Sequence, residues 1–262
     1  MVLFTYPTAV AVYLLVLSGV LGLVLGSGLH CLAWRMGHNE KWSGGRSHCV
    51  SCNHPLTALD LIPLFSWLFL RGKCRYCGKP IHWRYPLSEG VLALAFMAVT
   101  ARYGLTLDTA VYLILVSCLF CLSIVDFDTL EIPHRFLIIP AIVRLIHIFF
   151  TEPAISLLTA FIPALVMGGG LLVLSLIMDK VLKKESMGGG DIKLLAMLGL
   201  YFSLGECILL VIIACVVGIL MARLLMNKKA DAVFPFGPAL SVAALITLLA
   251  GEPILSWYLS LF

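Results

Sequence analysis

Long apolar runs alternate with short polar ones along almost the whole chain. Residues 1–29 carry no charge, and the run from about Tyr6 to Cys31 exceeds the roughly 20 apolar residues a helix needs to cross a bilayer core. It lacks a basic N-terminal region and outruns the apolar stretch of a secretory signal, so it reads as a retained span. A polar, cysteine-bearing stretch follows from Arg35 to Pro86. Beyond it, apolar segments recur at about 87–101, 109–125, 136–150, 154–178, 192–204, 206–226 and 234–262. The pattern predicts an all-α polytopic membrane protein with about eight transmembrane helices. The second and sixth segments are short and the fourth holds Arg144 and His147, so these three are expected to be tilted, interrupted or packed inside the bundle.

Composition agrees. Of 262 residues, 61% are hydrophobic and 12% charged, against about 25% charged in an ordinary soluble domain, so any aqueous domain must be small. A net charge of +4 is too weak a bias to suggest a nucleic-acid partner. The placement of the charges is more informative. With eight spans, one set of alternate loops comprises 35–86, 126–135, 179–193 and 223–233, and it holds 16 of the 18 Lys and Arg; the other two are Arg102 and Arg144. By the positive-inside rule these loops are cytoplasmic and both termini face outward. The expected organisation is a first transmembrane helix over 1–34, a cytoplasmic loop over 35–86 and a membrane domain over 87–262.

That first loop holds Cys49 and Cys52 as one Cys-x-x-Cys pair and Cys74 and Cys77 as another, with 21 residues between the pairs. Two such knuckles bring four thiolates around one tetrahedral zinc ion. Disulfides or redox-active dithiols are the competing reading, but the charge pattern puts the loop in the reducing cytosol. Four protein ligands leave no open position, so the zinc is expected to be structural, and its binding would supply folding free energy to a loop with little core. Gly78 provides a permissive backbone after the second knuckle. Cys118 and Cys121 lie in an apolar span and read as small core residues. Cys31, Cys207 and Cys215 carry no signal.

Two acids stand at span boundaries on the cytoplasmic side. Asp126 follows the third span in the run Asp126-Phe127-Asp128-Thr129-Leu130-Glu131-Ile132-Pro133, and Asp191 opens the sixth after Gly188-Gly189-Gly190. Ionisable groups at membrane depth are costly and mark function by default, and successive glycines permit a close backbone approach. Two adjacent carboxyls can share a proton and hydrolyse a peptide through an activated water, without metal or covalent intermediate. Taken singly, Asp191 also reads as an acid favoured by a helix N-terminus and Asp126 as a polar boundary marker. Pattern alone does not rank Asp126 against Asp128; Asp128 and Glu131 read as solvated or supporting acids.

The Gly188-Gly189-Gly190-Asp191 run with Lys193 resembles the Gly-x-Gly-Asp motif of membrane aspartic proteases, and the chain as a whole resembles a bacterial type IV prepilin peptidase. The likeness rests on an ordered set: Arg46-Ser-x-Cys49-x-x-Cys52, Ile62-Pro63-Leu64 with Ser66-Trp67-Leu68, Arg71-Gly72-Lys73-Cys74-Arg75-x-Cys77-Gly78, Arg84-Tyr85-Pro86-Leu87-x-Glu89, the Asp126 segment ending in Ile132-Pro133, and Pro235-Phe236-Gly237-Pro238. The resemblance implies that Asp126 and Asp191 form the catalytic pair. It further implies removal of the basic leader from type IV prepilins or pseudopilins after a Gly, at the cytoplasmic face of the inner membrane. N-methylation of the new N-terminus with S-adenosylmethionine would follow, an activity linked in the family to the cysteine loop. The chain departs from the family pattern at Gly26-Ser27-Gly28-Leu29-His30, at Arg35-Met36-Gly37 and at His134. His30 also reads as a plain helix-end polar residue.

Two other classes fit parts of the pattern. A transporter would use the boundary acids to bind a coupling ion, although no repeat links the two halves. A membrane scaffold would use the zinc knuckles to hold a partner protein.

Overall fold

The computed structural model describes residues 2–38, 45–151, 154–183, 187–225 and 234–261. Nine α-helices occur among them: α1 (Thr8–Gly37), α2 (Phe65–Phe69), α3 (Arg84–Tyr103), α4 (Leu107–Thr129), α5 (Arg135–Thr151), α6 (Ala154–Leu182), α7 (Gly189–Leu198), α8 (Leu204–Leu225) and α9 (Gly237–Leu259). Each apolar segment of the sequence holds an α-helix, although residues 199–203 of the sixth form a turn; α2 and a 3-10 helix (Ala58–Leu61) are additions inside the polar loop. Five helices, α1, α4, α6, α8 and α9, are long and apolar enough to cross a bilayer. Of the remaining four, α2 lies in the polar loop, and α3, α5 and α7 are the same three segments that stand out in the sequence as short or charged. At 10 residues, α7 extends only about 15 Å, half the depth of a hydrocarbon core. The chain forms two compact units, Met1–Ser117 and Cys118–Phe262.

In the first unit, α1 packs along α3 through a stripe of glycines. A Cβ on Gly22 would lie 2.6 Å from the Ala93 Cα, and one on Gly26 would lie 3.0 Å from the Glu89 Cα. Small residues at this spacing let two backbones approach in lipid, where packing rather than water exclusion drives helix association. The opposite side of α1 exposes Val12, Val16, Val20 and Val24, as a lipid-facing surface should. His30 is buried on the packed side, where its Nδ1 lies 2.7 Å from the Ser88 Oγ of α3 and its ring packs against Tyr85. It is a link between helices rather than a helix-end group.

In the second unit, α7 is received by α6 at two small-residue contacts. A Cβ on Gly168 would meet the Ala196 Cβ at 2.6 Å, and one on Gly199 would meet the Ala164 Cα at 2.5 Å. After Leu198 the chain turns through Leu200, Tyr201 and Phe202, all buried. Irregular backbone at membrane depth is tolerated only when protein shelters it, and α5 provides that shelter. The Arg144 Nε donates to the Leu200 carbonyl (3.2 Å), the Tyr201 hydroxyl donates to the Pro140 carbonyl (2.7 Å), and the guanidinium lies over the Tyr201 ring.

Candidate active site and metal centre

Asp126 lies in the last turn of α4 and is 4% exposed. Its Oδ2 accepts the Gly237 amide at 2.9 Å, so the carboxyl sits at the N-terminus of α9, where the helix dipole and free amides favour an anion. Gly237 belongs to the Pro-Phe-Gly-Pro motif, and the proline after it suits a first helical turn. The position has no room for a side chain: a Cβ there would stand 2.7 Å from the Asp126 Oδ2 and 3.0 Å from the Leu122 Cδ2. The Ser241 hydroxyl donates to the Gly237 carbonyl at 2.8 Å, one turn into α9.

Asp191 is the third residue of α7 and interacts electrostatically with Asp126. The glycines before it differ in what they do. A Cβ on Gly190 would lie 2.9 Å from the Ile132 Cβ, so this glycine admits the segment that follows Asp126. A Cβ on Gly188 would press on the Asp191 carboxyl itself, with Oδ2 at 3.1 Å, whereas Gly189 faces open space. The Asp191 Oδ1 is buried and has no hydrogen-bond partner among the described residues. A buried carboxyl oxygen left without a donor is costly, and a shared proton or a substrate water would satisfy it. Asp128, Glu131, His134 and Lys193 are exposed. Burial thus separates Asp126 from Asp128, which pattern alone does not. Gly237 is the site residue whose role the sequence leaves open.

The cysteine loop is built from one backbone pattern used twice, 25 residues apart. In the first knuckle the Cys49 amide donates to the His54 carbonyl, Asn53 to Cys49 and Leu56 to Ser47; in the second, Cys74 donates to Lys79, Gly78 to Cys74 and Ile81 to Gly72. Each turn needs a left-handed residue after its second cysteine, Asn53 at φ 55° and Gly78 at φ 70°, and Gly and Asn are the residues that adopt it readily. Asp60 ties the knuckles together. Its Oδ1 accepts the Arg75 Nε at 2.7 Å and its Oδ2 accepts the Tyr76 hydroxyl at 3.0 Å and the Thr57 hydroxyl at 2.7 Å. Burial raises the Asp60 carboxyl, but these donors and the Thr57 amide outweigh it and hold the group at about 2.

The four Sγ atoms of Cys49, Cys52, Cys74 and Cys77 lie within 4.8 Å of one another, and those of Cys49 and Cys77 are 4.0 Å apart. A tetrahedral ion with Zn–S bonds of about 2.3 Å would hold sulfurs about 3.8 Å apart, so the spacing of the thiols fits such an ion. Cys118, Cys121 and Cys207 are buried apart from this cluster.

Comparison with known proteins gives these sites a family context. Residues 20–103 match the bacterial peptidase A24 N-terminal domain, and residues 113–223 match the type IV leader peptidase family. The chain is 40% identical over 222 residues to a prepilin leader peptidase/N-methyltransferase of Aeromonas hydrophila, which covers 83% of this chain and 76% of that protein. It is 32% identical over 255 residues to the protein of the same name from Bacillus subtilis (strain 168), covering 92% and 96%. With that of Pseudomonas putida it shares 30% over 279 residues, covering 97% and 96%. No solved structure matches. With both family models matched in order along one chain, and relatives this similar over most of their length, the chain belongs to the type IV leader peptidase family.

Proposed function

We propose that this protein is a membrane aspartic endopeptidase that removes the basic leader from type IV prepilins or pseudopilins, cutting after a Gly at the cytoplasmic membrane face. N-methylation of the new N-terminus follows. The observation that carries the peptidase reading is the unpartnered, buried Asp191 Oδ1 in electrostatic contact with a buried Asp126. Two carboxyls so placed act as a pair. One takes a proton from the attacking water while the other donates one to the scissile carbonyl oxygen; collapse of the tetrahedral intermediate releases the amine. The Gly237 amide fixes the Asp126 rotamer and leaves the second oxygen for water.

The relatives' names supply the methyl-transfer half of this reading, and S-adenosylmethionine is the donor it requires. When bound, the donor would supply a methyl group to the new amine, its sulfur keeping the bonding electrons and the amine proton going to solvent.

The cluster of Cys49, Cys52, Cys74 and Cys77 would hold a structural zinc in the loop over 35–86, with the peptidase machinery in 87–262. No residue of α2 or of the 3-10 helix over Ala58–Leu61 is buried, so metal binding would replace a missing core. The chain is read as a multi-pass inner-membrane protein with its loop and acids at the cytoplasmic face and both termini outside. In that topology α7 and the turn over 199–203 make one crossing together. Incubating the purified protein with a prepilin and S-adenosylmethionine tests the function. A mass loss equal to the leader is expected, then the gain of one methyl group; an intact prepilin would refute the peptidase.

A further inference from the structure

The first unit contains a cavity of about 610 Å³ between α1, α3 and the cysteine loop, well within the range of about 300–1,000 Å³ typical of small-molecule sites. Its walls are mixed in a particular way. Trp34 and Trp67 supply two aromatic faces, Arg35 a cation and Glu89 a carboxylate. Arg35 is 9% exposed and Glu89 is half-buried, its Oε2 accepting the Leu64 amide at 2.8 Å. Leu64 has φ 58°, so that bond holds a strained turn of the loop against α3. A second left-handed position backs the same wall, where Gly72 at φ 69° leaves space for the Trp67 ring and the Trp67 Nε1 donates to the Ile81 carbonyl. The Leu64–Glu89 bond thereby fastens the loop to α3, and the Trp67–Ile81 bond braces the loop itself.

We propose that this cavity is the binding site for S-adenosylmethionine. The inference rests on the methyl-transfer reading and adds to it a location and residues. The donor has three chemically distinct parts. The adenine needs an aromatic face, which either tryptophan supplies. The amino-acid carboxylate needs a cation, and a guanidinium in a half-closed site binds it as a fork. The sulfonium needs a negative group or a ring face, and Glu89 is the carboxylate on the α3 wall. Arg75 and Asp60, which also line the cavity, neutralise each other as an ion pair at 2.7 Å. Of the other charged residues lining it, Arg35 and Lys79 are the cations and Glu89 is the carboxylate left for the sulfonium. The donor carries one more positive charge than its product, S-adenosylhomocysteine, so Glu89 favours the donor and eases product release.

Two measurements on the whole protein in lipid nanodiscs test this site. Calorimetric titration compares both ligands on wild type and Glu89→Gln, which keeps an acceptor for the Leu64 amide while removing the charge. Affinity for S-adenosylmethionine should fall about tenfold and that for S-adenosylhomocysteine much less, so the preference for the donor shrinks. Irradiation of the wild type with methyl-labelled S-adenosylmethionine should place the label on peptides containing Trp34 or Trp67, without reliance on a variant. Label mapped elsewhere, or an unchanged preference in Glu89→Gln, overturns the site while methyl transfer stands. A wild type that binds neither ligand and adds no methyl group to cut prepilin overturns both the site and the methyl-transfer reading.

Discussion

The Gly237 amide and the Asp126 carboxyl are joined by a 2.9 Å hydrogen bond across 111 residues of sequence, and this bond makes the start of α9 part of the candidate active site. Gly237→Ala places a carbon only 2.7 Å from the Asp126 Oδ2 and 3.0 Å from the Leu122 Cδ2. Neither α9 nor the buried carboxyl can yield without moving the acid. A displacement approaching 1 Å costs about a hundredfold in rate. Leader cleavage by the variant should fall by that order while the protein remains inserted, as measured by prepilin processing in membranes. Near-normal processing would show that the Asp126 position is not critical.

Asp126→Asn and Asp191→Asn should each reduce cleavage by about a thousandfold or more, since each removes one member of the proposed acid–base pair. Asp128→Asn is the internal control. Asp128 is exposed two residues from Asp126, and its loss should change the rate by less than about threefold, in keeping with surface substitutions generally. A large loss at Asp128 with activity retained in Asp126→Asn would reverse the assignment. Parallel single-turnover assays on the three variants decide the matter.

How much of this was legible depends on the distance over which each feature is determined. Cys49, Cys52, Cys74 and Cys77 were legible because a metal knuckle is a local structure with fixed spacing, and Gly78 because its turn is local too. Asn53 occupies the same left-handed position in the first knuckle but is not legible there, because asparagine advertises that conformation less plainly than glycine. The glycines before Asp191 pointed to a close approach, but that Gly190 receives Ile132 is a tertiary fact. Gly237 was visible as a motif member without a role, because its partner lies two-fifths of the chain away. Eight apolar runs predicted the helices well, yet hydrophobicity does not reveal that α7 ends at Leu198.

In the cysteine loop, two substitutions should separate metal binding from knuckle cohesion. Cys49→Ser removes a ligand, and metal analysis of the purified protein should show bound zinc clearly reduced; unchanged zinc would reject the tetrathiolate site. Asp60→Asn leaves the ligands in place but weakens charge-assisted bonds to Arg75, Tyr76 and Thr57, at a cost of about 1–3 kcal/mol. Zinc should remain, and limited proteolysis should cut the loop faster. The sign of the pH dependence follows from the depressed Asp60 carboxyl, at about 2. Its stabilisation is complete above the ordinary aspartate value of about 3.9 and is lost only as the pH falls toward the folded value. The Asp60→Asn defect should therefore be constant between about pH 5 and pH 8.

Arg144 offers the sharpest test of how α7 is held. An arginine within an apolar helix is expensive and invites a functional explanation, such as an ion path. Its contacts support a mechanical one instead. The guanidinium donates to the Leu200 carbonyl just beyond the end of α7 and lies over Tyr201, whose hydroxyl reaches the Pro140 carbonyl on the same helix as Arg144. The cation thus satisfies backbone at the negative end of α7, while Asp191 stands at the other end. Arg144→Met leaves the Leu200 carbonyl without this donor and should destabilise the unit by about 1–3 kcal/mol. Because α7 carries Asp191, the turnover rate should fall while substrate affinity is nearly kept. Arg144→Lys keeps a charge but not the fork or the ring stacking, and should recover part of the rate. Since both residues serve one turn, Arg144→Met combined with Tyr201→Phe should cost less than the sum of the single losses. Full additivity, or a Met variant with normal turnover, would detach Arg144 from the active-site helix.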